Sequence, residues 1–177
     1  NKIISSIKFL DQNNETVNWK TYTKDKLWTI KYPSSWHIVQ ESDDGITGVS
    51  FSDSEQINNA NSGNISVRVT WAEKNNSYDY RISQEAGKVD NIDGNNYTIL
   101  KKLNIDGSTG VLEQAELVNN GSAKPMYLYQ ALISGPLNVN MTATALKYSP
   151  QGFSKENYKS TYLPIFSSIL STFKFTK

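Results

Sequence analysis

The sequence predicts an α+β fold: an antiparallel sheet of roughly six to nine strands, one helix inserted midway and one helix at the C-terminus. Three observations carry this expectation. Short runs alternate apolar and polar residues at the period of two that marks a half-buried strand, most cleanly over residues 65–71 and 137–147. Asp-Gly, Asn-Gly and Gly-Pro pairs punctuate the runs as turns do. Two stretches, after Ser77 and before Phe173, instead place apolar residues at helical spacing.

In chain order, residues 1–18 hold a short apolar run (Ile3, Ile4, Ile7, Phe9, Leu10) and then Asp-Gln-Asn-Asn-Glu. They are expected to form a tether or linker, mobile over residues 11–15, ahead of a single domain spanning residues 19–177. Residues 19–23 read as a short strand that turns at Lys24-Asp25-Lys26. The stretch 27–39 follows, and the core is expected to organise around it. Trp28, Ile30 and Tyr32 alternate against Leu27, Thr29 and Lys31. Pro33 has no N–H for a ladder and holds Tyr32 extended, so the strand ends at this corner. Trp36 then opens a second apolar run, with its indole expected beneath the sheet.

Residues 41–45 read as a turn, 46–52 as a strand bulged at Gly48, and 53–64 as a polar loop. After the strand at 65–71, Ser77 is placed to cap a helix over residues 78–91. Its stripe is Tyr78, Ile82, Ala86 and Val89, at a cost of about 1 kcal/mol for Gly87 inside it. The second half is a meander with strands at 97–105, 110–118, 125–134 and 137–147. In the last of these Leu137, Val139, Met141, Ala143 and Ala145 face a core, and Asn138, Asn140, Thr142 and Thr144 face away. Ser149-Pro150-Gln151-Gly152 breaks the chain before a helix over 154–170. Its stripe runs through Tyr158, Tyr162, Ile165, Phe166, Ile169, Leu170 and Phe173. Pro164 is expected to kink this helix or to start another.

A chain of 177 residues suits one domain, able to bury roughly 70% of its unfolded surface. Cysteine is absent, which excludes disulfides, thiolate metal sites and Cys nucleophiles. The 18 basic and 17 acidic residues are interspersed and sum to +1, so no block tracks phosphates and nucleic acid is not an expected partner. No apolar run reaches the ~18 residues of a membrane span. The first residue is Asn, and the Asn, Ser, Tyr and Thr content resembles that of exported proteins of low-GC bacteria. The expectation is an extracytoplasmic domain, secreted or held to the outer face of the cell membrane through an upstream signal or lipid anchor.

Trp19-Lys20-Thr21-Tyr22-Thr23, followed by Trp28-Thr29-Ile30-Lys31-Tyr32-Pro33-Ser34-Ser35-Trp36, resembles the opening of the PsbP-like family. Ile169-Leu170-Ser171-Thr172-Phe173-Lys174-Phe175 resembles the ending of its bacterial lipoprotein and membrane-anchored members, and Asn104-Ile105-Asp106-Gly107 its mid-domain hairpin. The likeness spans residues 19–175, and Trp28 stands where Phe is commoner. It implies an α/β/α sandwich around a central, mainly antiparallel sheet, a fold shared with a Ran-binding nuclear transport factor. The family pattern brings no catalytic residues. The photosystem II role of its plant members belongs to segments without counterparts here.

Candidate chemistry is sparse. His37 is the single histidine, so a Ser-His-Asp triad would depend on it, and no Gly-x-Ser-x-Gly elbow accompanies it. Asp43, Asp44, Asp90, Asp93 and Asp106 could offer loop oxygens to calcium. Ile92 breaks the EF-hand spacing, however, and turn chemistry explains the Asp-Gly pairs. Glu113 and Glu116 fall on opposite faces of one strand. Tyr127 and Tyr129 share a face, with Tyr97 expected near them, as a sugar or peptide platform or as the skin of a sheet under a helix. The sequons Asn64-Ile65-Ser66 and Asn140-Met141-Thr142 are chance products of an Asn-rich chain.

The sequence therefore points to a non-enzymatic, extracytoplasmic accessory or protein-interaction domain. No catalytic residue, metal site or cofactor is expected, the partner is another protein, and membrane contact comes only through the anchor. Two rivals stay open: a small-ligand or metal carrier with a pocket between sheet and helix, and a hydrolase using His37 with a serine. The binding residues, the specific partner and the oligomeric state are not specified by the sequence.

Overall fold

The computed structural model describes residues 16–41, 48–53, 65–118, 125–145 and 155–176. Among these the strands are β1 (Lys20–Lys24), β2 (Trp28–Tyr32), β3 (His37–Glu41), β4 (Gly48–Ser52), β5 (Ile65–Glu73), β6 (Val89–Ile92), β7 (Asn95–Ile105), β8 (Ser108–Leu117), β9 (Met126–Ser134), β10 (Leu137–Ala145) and β11 (Lys174–Phe175). The helices are α1 (Asp79–Ser83), entered through a 3-10 turn at Asn76–Tyr78, and α2 (Lys155–Ser171). A large sheet runs β3-β4-β5-β10-β9-β8-β7-β6 and a small one runs β1-β2-β11. Every strand pair is antiparallel, which makes this an α+β fold of mostly antiparallel sheet.

The sequence reading expected one sheet, and the difference lies in the Tyr32-Pro33 corner. Pro33 ends β2, its carbonyl accepts the Trp36 N–H at 2.9 Å, and the chain leaves for the large sheet. The vacated edge of β2 is taken by residues from the far end of the chain. Lys174 and Phe175 pair with Thr29 and Trp28. The Thr172 hydroxyl accepts the Lys31 N–H at 2.8 Å, and the Thr176 N–H donates to Leu27 at 3.0 Å.

The main core fills the space between the two sheets and α2. Trp28 lies at its centre, fully buried, with ring centroids 5.5 Å from Tyr22, 5.3 Å from Trp71 and 5.6 Å from Phe173. Ile30, Tyr32 and Trp36 are buried beside it, as their alternation predicts. In α2, Tyr162, Phe166, Ile169 and Leu170 are buried against β2, β9 and β10, while the side chain of Tyr158 lies outside the described ones. Pro164 neither ends α2 nor starts another helix. It sits on the exposed face, away from the buried stripe, so its ring displaces no core side chain.

The inserted helix is the main departure from expectation. Gln84 is extended (ψ 148°), Gly87 takes φ +88°, and the Gly87 N–H donates to Ile99 in β7. Residues 89–92 form β6, joined to β7 by Asp93 (φ 51°) and Gly94 (φ 80°), the two positive-φ positions of a tight hairpin turn. Asp106-Gly107 repeats that turn between β7 and β8. Tyr78 and Ile82 still pack inward, on a second small core of Ile99, Val111 and Leu132, whereas Ala86 and Val89 are exposed. Ser77 is not the cap. Tyr78 stands at the N-cap of α1 with no side-chain cap bond, and Asn75 caps the preceding 3-10 turn, its side chain accepting the Ser77 N–H at 2.9 Å. Gly48 is paired in register with Thr70, and the irregularity lies in β3, between Ile38 and Gln40. A Cβ on Gly48 would come within 3.1 Å of Thr70 Cγ2, so close packing accounts for the glycine. The 11–15 tether, the turn at 42–45 and the breaks at 119–121 and 149–152 lie outside the described residues.

Truncating either core indole, as Trp28→Ala or Trp36→Ala, is expected to cost about 3–5 kcal/mol in urea unfolding. An unchanged midpoint would place the core elsewhere.

Candidate functional site

Among the described residues, two arrangements on the large sheet bring charged groups together, one on each face. On the face under α1, Arg81 is 6% exposed and Glu113 1%. The Arg81 Nε donates to Glu113 Oε2 at 3.0 Å, Nη2 bonds the same oxygen, and Gln130 Nε2 donates to Glu113 Oε1. Arg81 Nη1 bonds Asp90, whose other oxygen is 3.8 Å from Lys88 Nζ. The guanidinium also lies 5.7 Å from the Tyr97 ring centroid. Burial raises the Tyr97 hydroxyl pKa, the Glu113 and Asp93 carboxylates raise it further, and Arg81 opposes them. Glu113 and Asp90 are engaged by the same guanidinium, so the cluster is a strut that ties α1 to β8 and to the edge strand β6.

Nearby polar groups serve the same end. Asn138, 1% exposed, donates through Nδ2 to the Asn75 carbonyl at 2.9 Å and to its side chain at 2.8 Å. Lys102 Nζ bonds the Ile82 carbonyl. The sequence did not single out Arg81. The available signal was Glu113 itself, a carboxylate between Val111, Leu112 and Ala115, because a charge in a buried strand requires a partner.

The second arrangement is a groove of about 470 Å³ between β7 and the end of α2. The β7–β8 register shifts between Ile99 and Lys101, and this bulge puts Leu100 and Lys101 together on the α2 side. Alternation then carries Leu103 and Ile105 to the same side. Leu170 and Phe173 close the apolar floor, and Ser167, Ser171 and Lys174 border it. Burial lowers the Lys101 pKa below the ordinary lysine value.

The residues nominated from sequence are dispersed. His37 is exposed and stands across from Ser52 in the β3–β4 pair. The Ser52 hydroxyl donates to the Ile65 carbonyl at 3.1 Å. Asp53, next along the chain, accepts the Ile65 N–H at 3.1 Å and acts on Tyr162, on the core side. Burial raises the Asp53 pKa against these backbone bonds. Asp90 is in the strut, Asp93 and Asp106 are turn residues, and Asp43 and Asp44 are outside the described residues. Among the described residues no three His, Asp or Glu side chains are grouped to hold a metal.

Glu116 faces away from Glu113, accepting from Tyr127 at 2.9 Å. Tyr129 is fully buried in the main core, and burial pushes its pKa up to about 12. Tyr97 is not beside Tyr127 and Tyr129 but on the opposite face, so the three do not make one platform. In the second sequon Asn140 accepts from the Thr142 hydroxyl at 3.0 Å, and Asn64 of the first lies outside the described residues.

No protein-family model and no curated protein matches the chain. Among solved structures, a Pseudomonas aeruginosa protein of unknown function is similar over 87% of this chain and 94% of its own, at 15% identity and a TM-score of 0.42.

Glu113→Ala is expected to cost about 3 kcal/mol, since it leaves the buried Arg81 with Asp90 as its one carboxylate partner among the described residues, and Arg81→Met with Glu113→Leu should recover most of that loss. Equal losses for the single and double variants in urea unfolding would dismiss the strut. The depressed Lys101 pKa also fixes a sign. The unfolded chain binds that proton more tightly, so the penalty is full below the folded pKa and vanishes as pH rises to the ordinary value of 10.5. Lys101→Met should therefore raise the melting temperature at neutral pH and lose its advantage near pH 10.5.

Proposed function

We propose that this chain is a non-enzymatic, extracytoplasmic accessory domain of the PsbP-like type, which works by binding another protein. The observation that carries the binding role is the groove between β7 and α2, where lysines and a partly apolar floor meet at an open surface. The most deeply buried charges among the described residues, Arg81 and Glu113, are paired with each other and hold α1 in place. The PsbP-like reading is supported by the packing roles of its motif residues. The Tyr32-Pro33 corner separates the two sheets, Trp36 is buried, and residues 169–175 close the core through Phe173 and β11. Helices lie on both faces of the large sheet, in keeping with the α/β/α sandwich that the family likeness implies. The extracytoplasmic placement rests on the sequence likeness alone.

The same groove favours a second reading, small-ligand carriage between sheet and helix. A photoreactive residue at Ser171 separates the two in cells. The binding module is expected to yield a discrete adduct with another protein, whereas a carrier shows a bound small mass by native mass spectrometry. Screens against generic esterase, phosphatase, glycosidase and peptidase substrates should find no turnover. Activity that disappears in His37→Ala would replace the module with a hydrolase.

A further inference from the structure

The outer edge of β7 is covered along only part of its length. β6 pairs with residues 95–98, and Ile99 bonds Gly87 and Lys88 through its backbone. From Lys102 to Asp106, no strand among the described residues lies against this edge. The two-residue turn at Asp106-Gly107 makes Ile105 and Ser108 the closing bonded pair of the β7–β8 hairpin, and alternation makes Leu103 and Gly110 the next. The backbone N–H and C=O of Lys102 and Asn104 therefore point outward, away from β8.

Open edges are ordinarily blunted by proline, by a very short strand or by charge that repels an added strand. This segment has no proline, and its charges are complementary to themselves. Lys102-Leu103-Asn104-Ile105-Asp106 is its own antiparallel complement. Turned about Asn104 onto a second copy, Lys102 faces Asp106, Leu103 faces Ile105 and Asn104 faces Asn104, and the two-fold repeats the first two pairs. Lys102, Asn104 and Asp106 are exposed. Leu103 and Ile105 are half-buried on the α2 side, where the groove leaves space for the same two side chains of the second copy. Lys102 donates to the Ile82 carbonyl, but an ammonium carries three N–H groups, and one bond leaves two for a carboxylate. Lys101 falls opposite Gly107 and takes no part. The charges also select register: parallel pairing sets lysine against lysine, and a slip of two residues removes both ion pairs.

We propose that β7 adds to β7 of a second copy of this chain, antiparallel and two-fold about Asn104, so that the two large sheets join across residues 102–106. This contact goes beyond the accessory-domain reading and does not depend on it. Five residues a side bury less than the ~1,000 Å² of a stable interface, so the dimer is a transient one, in exchange with monomer at micromolar to millimolar concentration.

Sedimentation equilibrium of the full chain from about 20 µM to 1 mM is expected to show monomer and dimer in exchange. Over the same range, amide hydrogen exchange should slow at Lys102 and Asn104. Asn104→Pro removes the central outward N–H at an exposed edge position, and is expected to leave a monomer with an unshifted melting temperature. Lys102→Glu and Asp106→Lys each set like charges opposite one another and should weaken dimerisation about tenfold or more. Mixed together, the two charge variants again oppose unlike charges at both positions and should pair with each other. A chain that stays monomeric at about 1 mM overturns the proposal. So does a dimer that survives Asn104→Pro, or concentration-dependent protection confined to another edge such as β3 or β6. Where a variant lowers the melting temperature, amide exchange of the unaltered chain decides alone.

Discussion

Burial of Trp28 between the two sheets is the contact on which the rest of the fold depends. Its ring is shared by residues distant in the chain: Tyr22 from β1, Trp71 from β5 and Phe173 after α2. An indole at zero exposure brings one of the largest single transfer terms a residue can supply. Among the described residues its Nε1–H meets no acceptor, so the site is held by packing alone against the cost of one buried donor. Because β11 pairs with the same strand that carries Trp28, α2 is fixed over the sheet by its own exit segment.

The opposite face of the large sheet is held by different physics. Here the apolar patch is small, Ile99, Val111 and Leu132 under Tyr78 and Ile82, and a five-residue helix cannot hold itself together in isolation. What locates α1 is polar. Arg81 reaches two carboxylates, Asn138 grips the Asn75 turn, and Lys102 holds the Ile82 carbonyl. A buried pair of this kind adds little stability compared with a well-packed apolar substitute, but losing one member is costly, so it fixes position more than it adds energy.

These two faces give the groove its character. The β7 bulge breaks the alternation by one residue, and so delivers a lysine to the side of the sheet that is otherwise core. Without the bulge, strict alternation from Ile99 would turn Lys101, Leu103 and Ile105 to the α1 face and bring Lys102 and Asn104 toward α2. The groove is thus a local fault in an antiparallel ladder, placed where the C-terminal helix stops short of the sheet edge.

Much of the architecture was legible from pattern. The strands at 28–32, 65–73 and 137–145 follow strict alternation, the Asp-Gly pairs at 93 and 106 mark tight hairpins, and the α2 stripe at Tyr162, Phe166, Ile169 and Leu170 is the buried one. Period and turn chemistry are local properties, and local sequence determines them. The helix expected over 78–91 was misread because its stripe satisfied helical spacing. Gly87 at positive φ and the hairpin at Asp93-Gly94 instead let residues 89–92 gain a ladder with β7. The division into two sheets, the pairing of β11 with β2, the Arg81–Glu113 strut and the lysine-lined groove join residues dozens of positions apart or depend on a one-residue register shift. No periodicity encodes such contacts. They follow from where the chain ends meet once Trp28 is enclosed, and only the tertiary structure decided them.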